Sequence, residues 1–100
     1  MAVIDGIFGP GTPGGTKLTV NNGAASAAQT VGARDSIIMI TGTGPWHMRW
    51  GHDGTVTSTA ADFKFPSGAV MVMASGPYQT FAVFNDSGSA IDVYWMPLSR

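Results

Sequence analysis

An all-β fold, an antiparallel β-sandwich of about seven or eight strands with an extended N-terminal arm, is what this 100-residue sequence predicts. Three observations lead there. Short apolar runs recur at roughly ten-residue spacing between turn residues, the pattern of a sandwich or barrel. No segment holds a helical period long enough for a βαβ crossover, so the sheets should be antiparallel. Glu is absent and all six acids are Asp, a residue that favours turns and caps over helix interiors. A jelly-roll and an immunoglobulin-like topology both satisfy this pattern.

The arm is residues 1–16, MAVIDGIFGPGTPGGT, with five glycines and two prolines. Its run from Gly9 to Gly15 sustains neither a helix nor a central strand. The segment reads either as a disordered terminus or as an arm that orders on a partner. Val3, Ile4, Ile7 and Phe8 favour the second reading, because they gain by leaving water, and they are the candidate partner-binding residues of the arm. Residues 17–100 form the sandwich domain.

The strands of that domain follow in order. Residues 17–20 (KLTV) are a first short strand, ended by Asn21-Asn22-Gly23, which supplies the positive-φ positions of a tight turn. Residues 24–33 are ambiguous; the alanines permit a helical turn, while Gln29-Thr30-Val31 favours a strand. Residues 36–41 (SIIMIT) carry the strongest strand signal and read as a run buried on both faces. Trp46 to Trp50 alternate, with Trp46, Met48 and Trp50 on one face and His47 and Arg49 on the other. Residues 55–59 (TVTST) read as a weak edge strand, and 60–66 continue extended with Phe63 and Phe65 on one face. Residues 69–74 (AVMVMA) read as a buried strand, followed by strands at 79–84 and 90–96, the last stopping before Pro97.

Composition excludes several classes of function. Charged residues make up 11% of the chain, against about 25% in an average domain. With 44% hydrophobic residues, so little charge suits an oligomer or a larger assembly. Lys17, Arg34, Arg49, Lys64 and Arg100 are scattered, which gives no basic stripe for nucleic acid. No apolar run approaches the roughly 20 residues that a membrane-spanning helix needs. The N-terminus lacks the basic and apolar regions of a signal peptide. Without Cys, neither a disulfide framework nor a thiolate metal site can form, which favours synthesis in a reducing cytosol or stapling by assembly.

Chemistry-bearing sets are few. His47 and His52 flank a bend beside Asp53, a spacing that matches no recurring metal or base–carboxylate arrangement, and both read as surface histidines. Ser58 and Ser67 lack a nucleophile elbow. Asp53, Asp62, Asp86 and Asp92 suit Asx-turns better than paired acid–base work. The segment 9–17 looks like a phosphate loop, but its Lys17 follows Thr16 and no helix opens after it. The expectation is therefore no catalytic residues, no metal, no cofactor and no enzyme activity. Six methionines read mainly as gap filling in the core. The aromatics Trp46, Trp50, Tyr78 and Trp95 are the candidates for an interface or for stacking on glycans, the alternative being a plain core. Tyr94 and Trp95 are adjacent, so one of them must face outward.

The stretch 34–96 resembles small all-β proteins encoded among tailed-phage structural genes. The likeness lies in the bend Met48-Arg49-Trp50-Gly51, the Thr/Ala-rich stretch 55–61, the turn Phe65-Pro66-Ser67-Gly68, and the apolar and closing strands that follow. It covers about two thirds of the chain. The resemblance implies a capsid cement or decoration protein, or a small tail-associated β domain, commonly trimeric and without catalytic residues. The implied partners are a major capsid protein and copies of the chain itself, with a glycan as the alternative ligand and the virion surface as the location.

Overall fold

In the computed structural model, residues 15–32 and 35–98 are described, and the arm residues Val3, Ile4, Ile7 and Phe8 lie outside them. Among the described residues nine strands form: β1 (Thr16–Val20), β2 (Ala24–Ala25), β3 (Gln29–Thr30), β4 (Ile37–Gly42), β5 (Trp46–Gly51), β6 (Lys64–Phe65), β7 (Val70–Ala74), β8 (Thr80–Asn85) and β9 (Ile91–Pro97). They build two antiparallel sheets. Sheet A has the order β1-β9-β4-β7, and sheet B has the order β2-β8-β5-β6 with β3 also on β8.

The pairings are nested. β1 pairs with β9, β2 and β3 with β8, β4 with β7, and β5 with β6, all antiparallel. One long hairpin would make the same pairs. Rolling it up adds β4 to β9 and β5 to β8. This is the jelly-roll arrangement, and it decides between the two topologies that the sequence leaves open.

Alternation along the strands fills the space between the sheets. Sheet A contributes Val20, Ile38, Ile40, Ile91, Val93 and Trp95; sheet B contributes Trp46, Met48, Phe81 and Val83. Phe81 meets Trp95 edge-on across the interface at 5.1 Å between ring centres. Asn85 is fully buried and spans the two sheets. Its amide donates to the carbonyls of Val20 and Ser89, and its own oxygen accepts the Ser87 N–H. That closes the last β-arch with all of the side chain's polar atoms satisfied.

Two sequence expectations change here. Residues 55–59 are not an edge strand; they belong to the connection 52–63, which folds over the outer face of sheet B. The extended stretch 60–66 pairs only at β6. The ambiguous segment 24–33 contains two short strands rather than a helical turn.

Candidate functional site

The two sheets differ in what covers their outer faces, and the difference starts with one aspartate. Asp62 accepts hydrogen bonds from the Ser58 hydroxyl and the Thr59 N–H on one carboxylate oxygen. Its other oxygen receives Arg49 at 2.7–2.9 Å. Burial alone would raise the Asp62 carboxyl, but the bonds from Thr59, Arg49 and Ser58 outweigh it and hold the pKa below its ordinary value. Asp53 fixes the other end of the connection by accepting both the N–H and the hydroxyl of Thr55. Those bonds lower its pKa as well. Between these anchors Val56 lies against Gly51, where an added Cβ would come within 2.5 Å of the valine. The outer side of β5 and β8 is thereby roofed, which explains why Ala82 and Thr80 are buried although they point away from the core.

The same roof buries His47, which is 4% exposed and not the surface histidine that its strand position suggests. Its Nδ1 lies 2.8 Å from the Asp62 carbonyl and its Nε2 lies 3.1 Å from Asp86 Oδ1. Both partners are acceptor oxygens, one facing each ring nitrogen. The His47 bond is the main cause that holds the Asp86 carboxyl below its ordinary pKa. Ser58 donates to Asp62 and not to the histidine, so its hydroxyl forms no relay with the imidazole. Among the described residues, no three His, Cys, Asp or Glu side chains group to hold a metal ion.

Among the described residues, no such roof covers sheet A. Its outward residues are Ile37, Met39 and Thr41 on β4, Asp92, Tyr94 and Met96 on β9, and Val70, Val72 and Ala74 on β7. Register sets them in rows, Tyr94–Thr41–Val70 and Met96–Met39–Val72, with Ala74 beside Ile37. Val70 and Val72 are 58% and 56% exposed. A polar rim closes one end, where Thr19 donates to Asp92 and Lys17 stands opposite Tyr94. Within this face lies an apolar groove of about 180 Å³, lined by Gly15, Met39, Thr41, Tyr94, Trp95 and Met96. The strands at 36–41 and 69–74, expected to be buried, are thus covered on one side only by the described residues, with Ile37, Met39 and Thr41 half-buried on the other. The β7 edge is also undefended: among the described residues it pairs with β4 alone, and VMVMA has no charge, no proline and no bulge.

The aromatic candidates separate. Trp46 is wholly buried and stacks on Phe65, and Trp95 is 7% exposed, so both are core and neither offers a stacking surface. The outward member of the Tyr94–Trp95 pair is Tyr94. Trp50 and Tyr78 are half-buried and stack at 6.4 Å with 17° between their planes, and His52 lies 4.9 Å from Tyr78. These three rings make one small cluster.

No protein-family profile matches the chain, and no curated protein matches it. Solved structures do. A de novo designed double-stranded β-helix is 20% identical with a TM-score of 0.56, over 83% of this chain and 96% of the design. PirA is 14% identical with a TM-score of 0.53, over 90% of this chain and 98% of PirA. A protein of the disulfide-linked pili of Bacillus endospore appendages superposes at a TM-score of only 0.44, with 11% identity over 85% of this chain and 88% of that one. At these identities, the first two show a shared fold and nothing about activity.

Proposed function

We propose that this protein is a non-enzymatic assembly protein that binds and stabilises a protein lattice, of the kind a phage capsid presents. Its partners would be the major capsid protein and copies of itself, and its place the virion surface. The observation that carries this reading is the apolar outer face of sheet A, which no described residue roofs, beside a β7 edge that pairs with β4 alone among the described residues. An apolar sheet face needs a partner, because one side of an antiparallel sheet is normally polar when it meets water.

The size of the face supports a lattice rather than a single tight partner. Three inter-strand spacings of about 4.8 Å and three rows of side chains give an apolar area of about 200–300 Å². A stable pairwise interface takes about 800 Å² from each partner. A face this small binds weakly alone, and it gains from many copies held on one scaffold. Self-association through β7 and contacts made by the arm would add to it, and a trimer is the arrangement that the phage resemblance implies.

Met39→Lys and Val72→Lys place charge in the middle of the face without touching the core. Sedimentation with purified capsid shells should fall at least tenfold for each variant while circular dichroism stays unchanged. Undiminished sedimentation of both variants would exclude the face as the attachment surface.

A second reading is a carbohydrate-binding or tail-associated adhesion module, and it rests on the Trp50–Tyr78–His52 ring cluster. Trp50→Ala should then abolish sugar-induced changes in tryptophan fluorescence. A glycan array without hits would remove this reading.

A further inference from the structure

The free side of β7 has a definite hydrogen-bonding phase. The Ser75 N–H donates to the Ser36 carbonyl, and the Leu98 N–H donates to the Ile37 carbonyl on the other side of β4. With the register of β4 and β7, this turns the backbone groups of Met71, Met73 and Ser75 toward β4. Those of Val70, Val72 and Ala74 turn outward along the sheet edge, where no described strand meets them. We infer that β7 pairs with β7 of a second copy of this chain, antiparallel and centred on Val72, so that two copies of sheet A join edge to edge. The inference rests on the self-association in the reading above and gives it a register and a symmetry.

The phase selects the register. Outward groups must meet outward groups, and one antiparallel register uses all three residues on each strand. It sets Val72 opposite Val72 of the partner subunit and Val70 opposite Ala74 of the partner subunit. Each of these pairs exchanges two backbone hydrogen bonds. The strand VMVMA carries no charge, so no like charges meet across the contact. Pro66 and Pro77 flank the strand and do not interrupt it. A self-complementary contact of this kind closes at two copies, and a trimer would need a different surface. The edges that remain on the joined sheet are two copies of β1, where the exposed Lys17 opposes further strand addition.

The size of the contact sets its strength. Five residues make an edge about 17 Å long, and a sheet about 10 Å deep then buries about 200 Å² on each copy. A stable pairwise interface takes about 800 Å² from each partner, so the dimer is weak and depends on concentration. A scaffold that holds copies side by side supplies that concentration. Pairing has a consequence for the outer face. Val70, Val72 and Ala74 of both copies lie on the same side of the joined sheet. Two apolar faces of about 200–300 Å² each then become one continuous surface of about 400–600 Å².

The chain has no cysteine, so single cysteines report the register in the full-length protein. Residues opposite each other in a hydrogen-bonded pair have Cα atoms about 5.5 Å apart, within the roughly 4.4–6.8 Å that a disulfide spans. Val72→Cys, held under mild oxidant at about millimolar concentration, should give a covalent dimer. Val70→Cys alone should not, because its two copies stand about 14 Å apart along the strands. Val70→Cys mixed with Ala74→Cys should cross-link. Val72→Pro removes one outward N–H and leaves the ladder to β4 in place. It should keep the circular dichroism of the parent and lose the concentration-dependent dimer in sedimentation velocity. If that variant does not fold, the cysteine pattern still decides. Equal cross-linking in all three cysteine samples overturns the inference, and so does a parent chain that stays monomeric at millimolar concentration or forms a trimer. No capsid is present in these measurements. Met39→Lys lies on β4 away from the edge, so it should still dimerise while losing capsid sedimentation, which separates the two proposals.

Discussion

Asn85→Ala tests whether the jelly-roll closes through one buried amide. The side chain is 0% exposed and takes part in three hydrogen bonds, at 2.8 Å to the Val20 carbonyl, 2.7 Å to the Ser89 carbonyl and 2.9 Å from the Ser87 N–H. Each bond contributes about 0.5–1.5 kcal/mol net, and truncation strands the partners, so the expected loss is about 1.5–4.5 kcal/mol. For a domain of this size each kcal/mol moves the midpoint by about 4–8 °C, which puts the melting temperature at least about 6 °C lower. Urea unfolding at 25 °C, followed by far-UV circular dichroism, measures the loss directly. Asn85→Asp sharpens the test. It keeps an acceptor for Ser87 but turns a second acceptor toward the Val20 and Ser89 carbonyls, so folding would raise the pKa of the introduced carboxyl above its unfolded value of about 3.9. That variant should be least destabilised below the unfolded pKa, where the neutral acid can donate, and progressively more so as pH rises. A loss under about 0.5 kcal/mol for Asn85→Ala would refute the reasoning, because a surface site would behave that way.

Two further predictions concern the roof over sheet B. Folding lowers the Asp62 pKa, so its contribution is fully present above the unfolded value of about 3.9 and is lost as pH falls through the lower folded value. Asp62→Asn should therefore flatten the fall of melting temperature between about pH 5 and pH 2; an acid limb identical to that of the parent would disprove the role. Gly51→Ala drives a methyl into Val56 and should cost about 1–3 kcal/mol, whereas Gly54→Ala meets nothing within 4 Å and should change stability by under about 0.5 kcal/mol. Equal denaturation midpoints for the two variants would show that the connection does not pack on β5.

Much of the fold was legible because strand periodicity and turn chemistry are local. The alternation of Trp46, Met48 and Trp50 placed one face of β5, and Gly23 and Gly68 mark turns where the backbone has positive φ. Residues 55–59 misled for a physical reason. Thr, Val and Ser suit a strand edge, yet the hydrogen bonds of Ser58 and Thr59 go to the Asp62 carboxylate and hold the segment as a loop. The aromatic candidates were half legible. Period two required Tyr94 and Trp95 to point apart, but only the packing of Phe81 against Trp95 assigns the tryptophan to the inside.

The outer face of sheet A, unroofed by the described residues, was the least legible feature. A continuous apolar strand such as 36–41 has the same sequence whether one side or both sides are covered. The sequence by itself determined an antiparallel all-β body and a low charge, since each depends only on residue type and spacing along the chain. The tertiary structure alone decided the jelly-roll order, the burial of His47 and Trp46, and which sheet the 52–63 connection roofs. Those depend on which distant segments meet, and the 52–63 connection, bound to Arg49 and His47 through Asp62, meets sheet B and not sheet A.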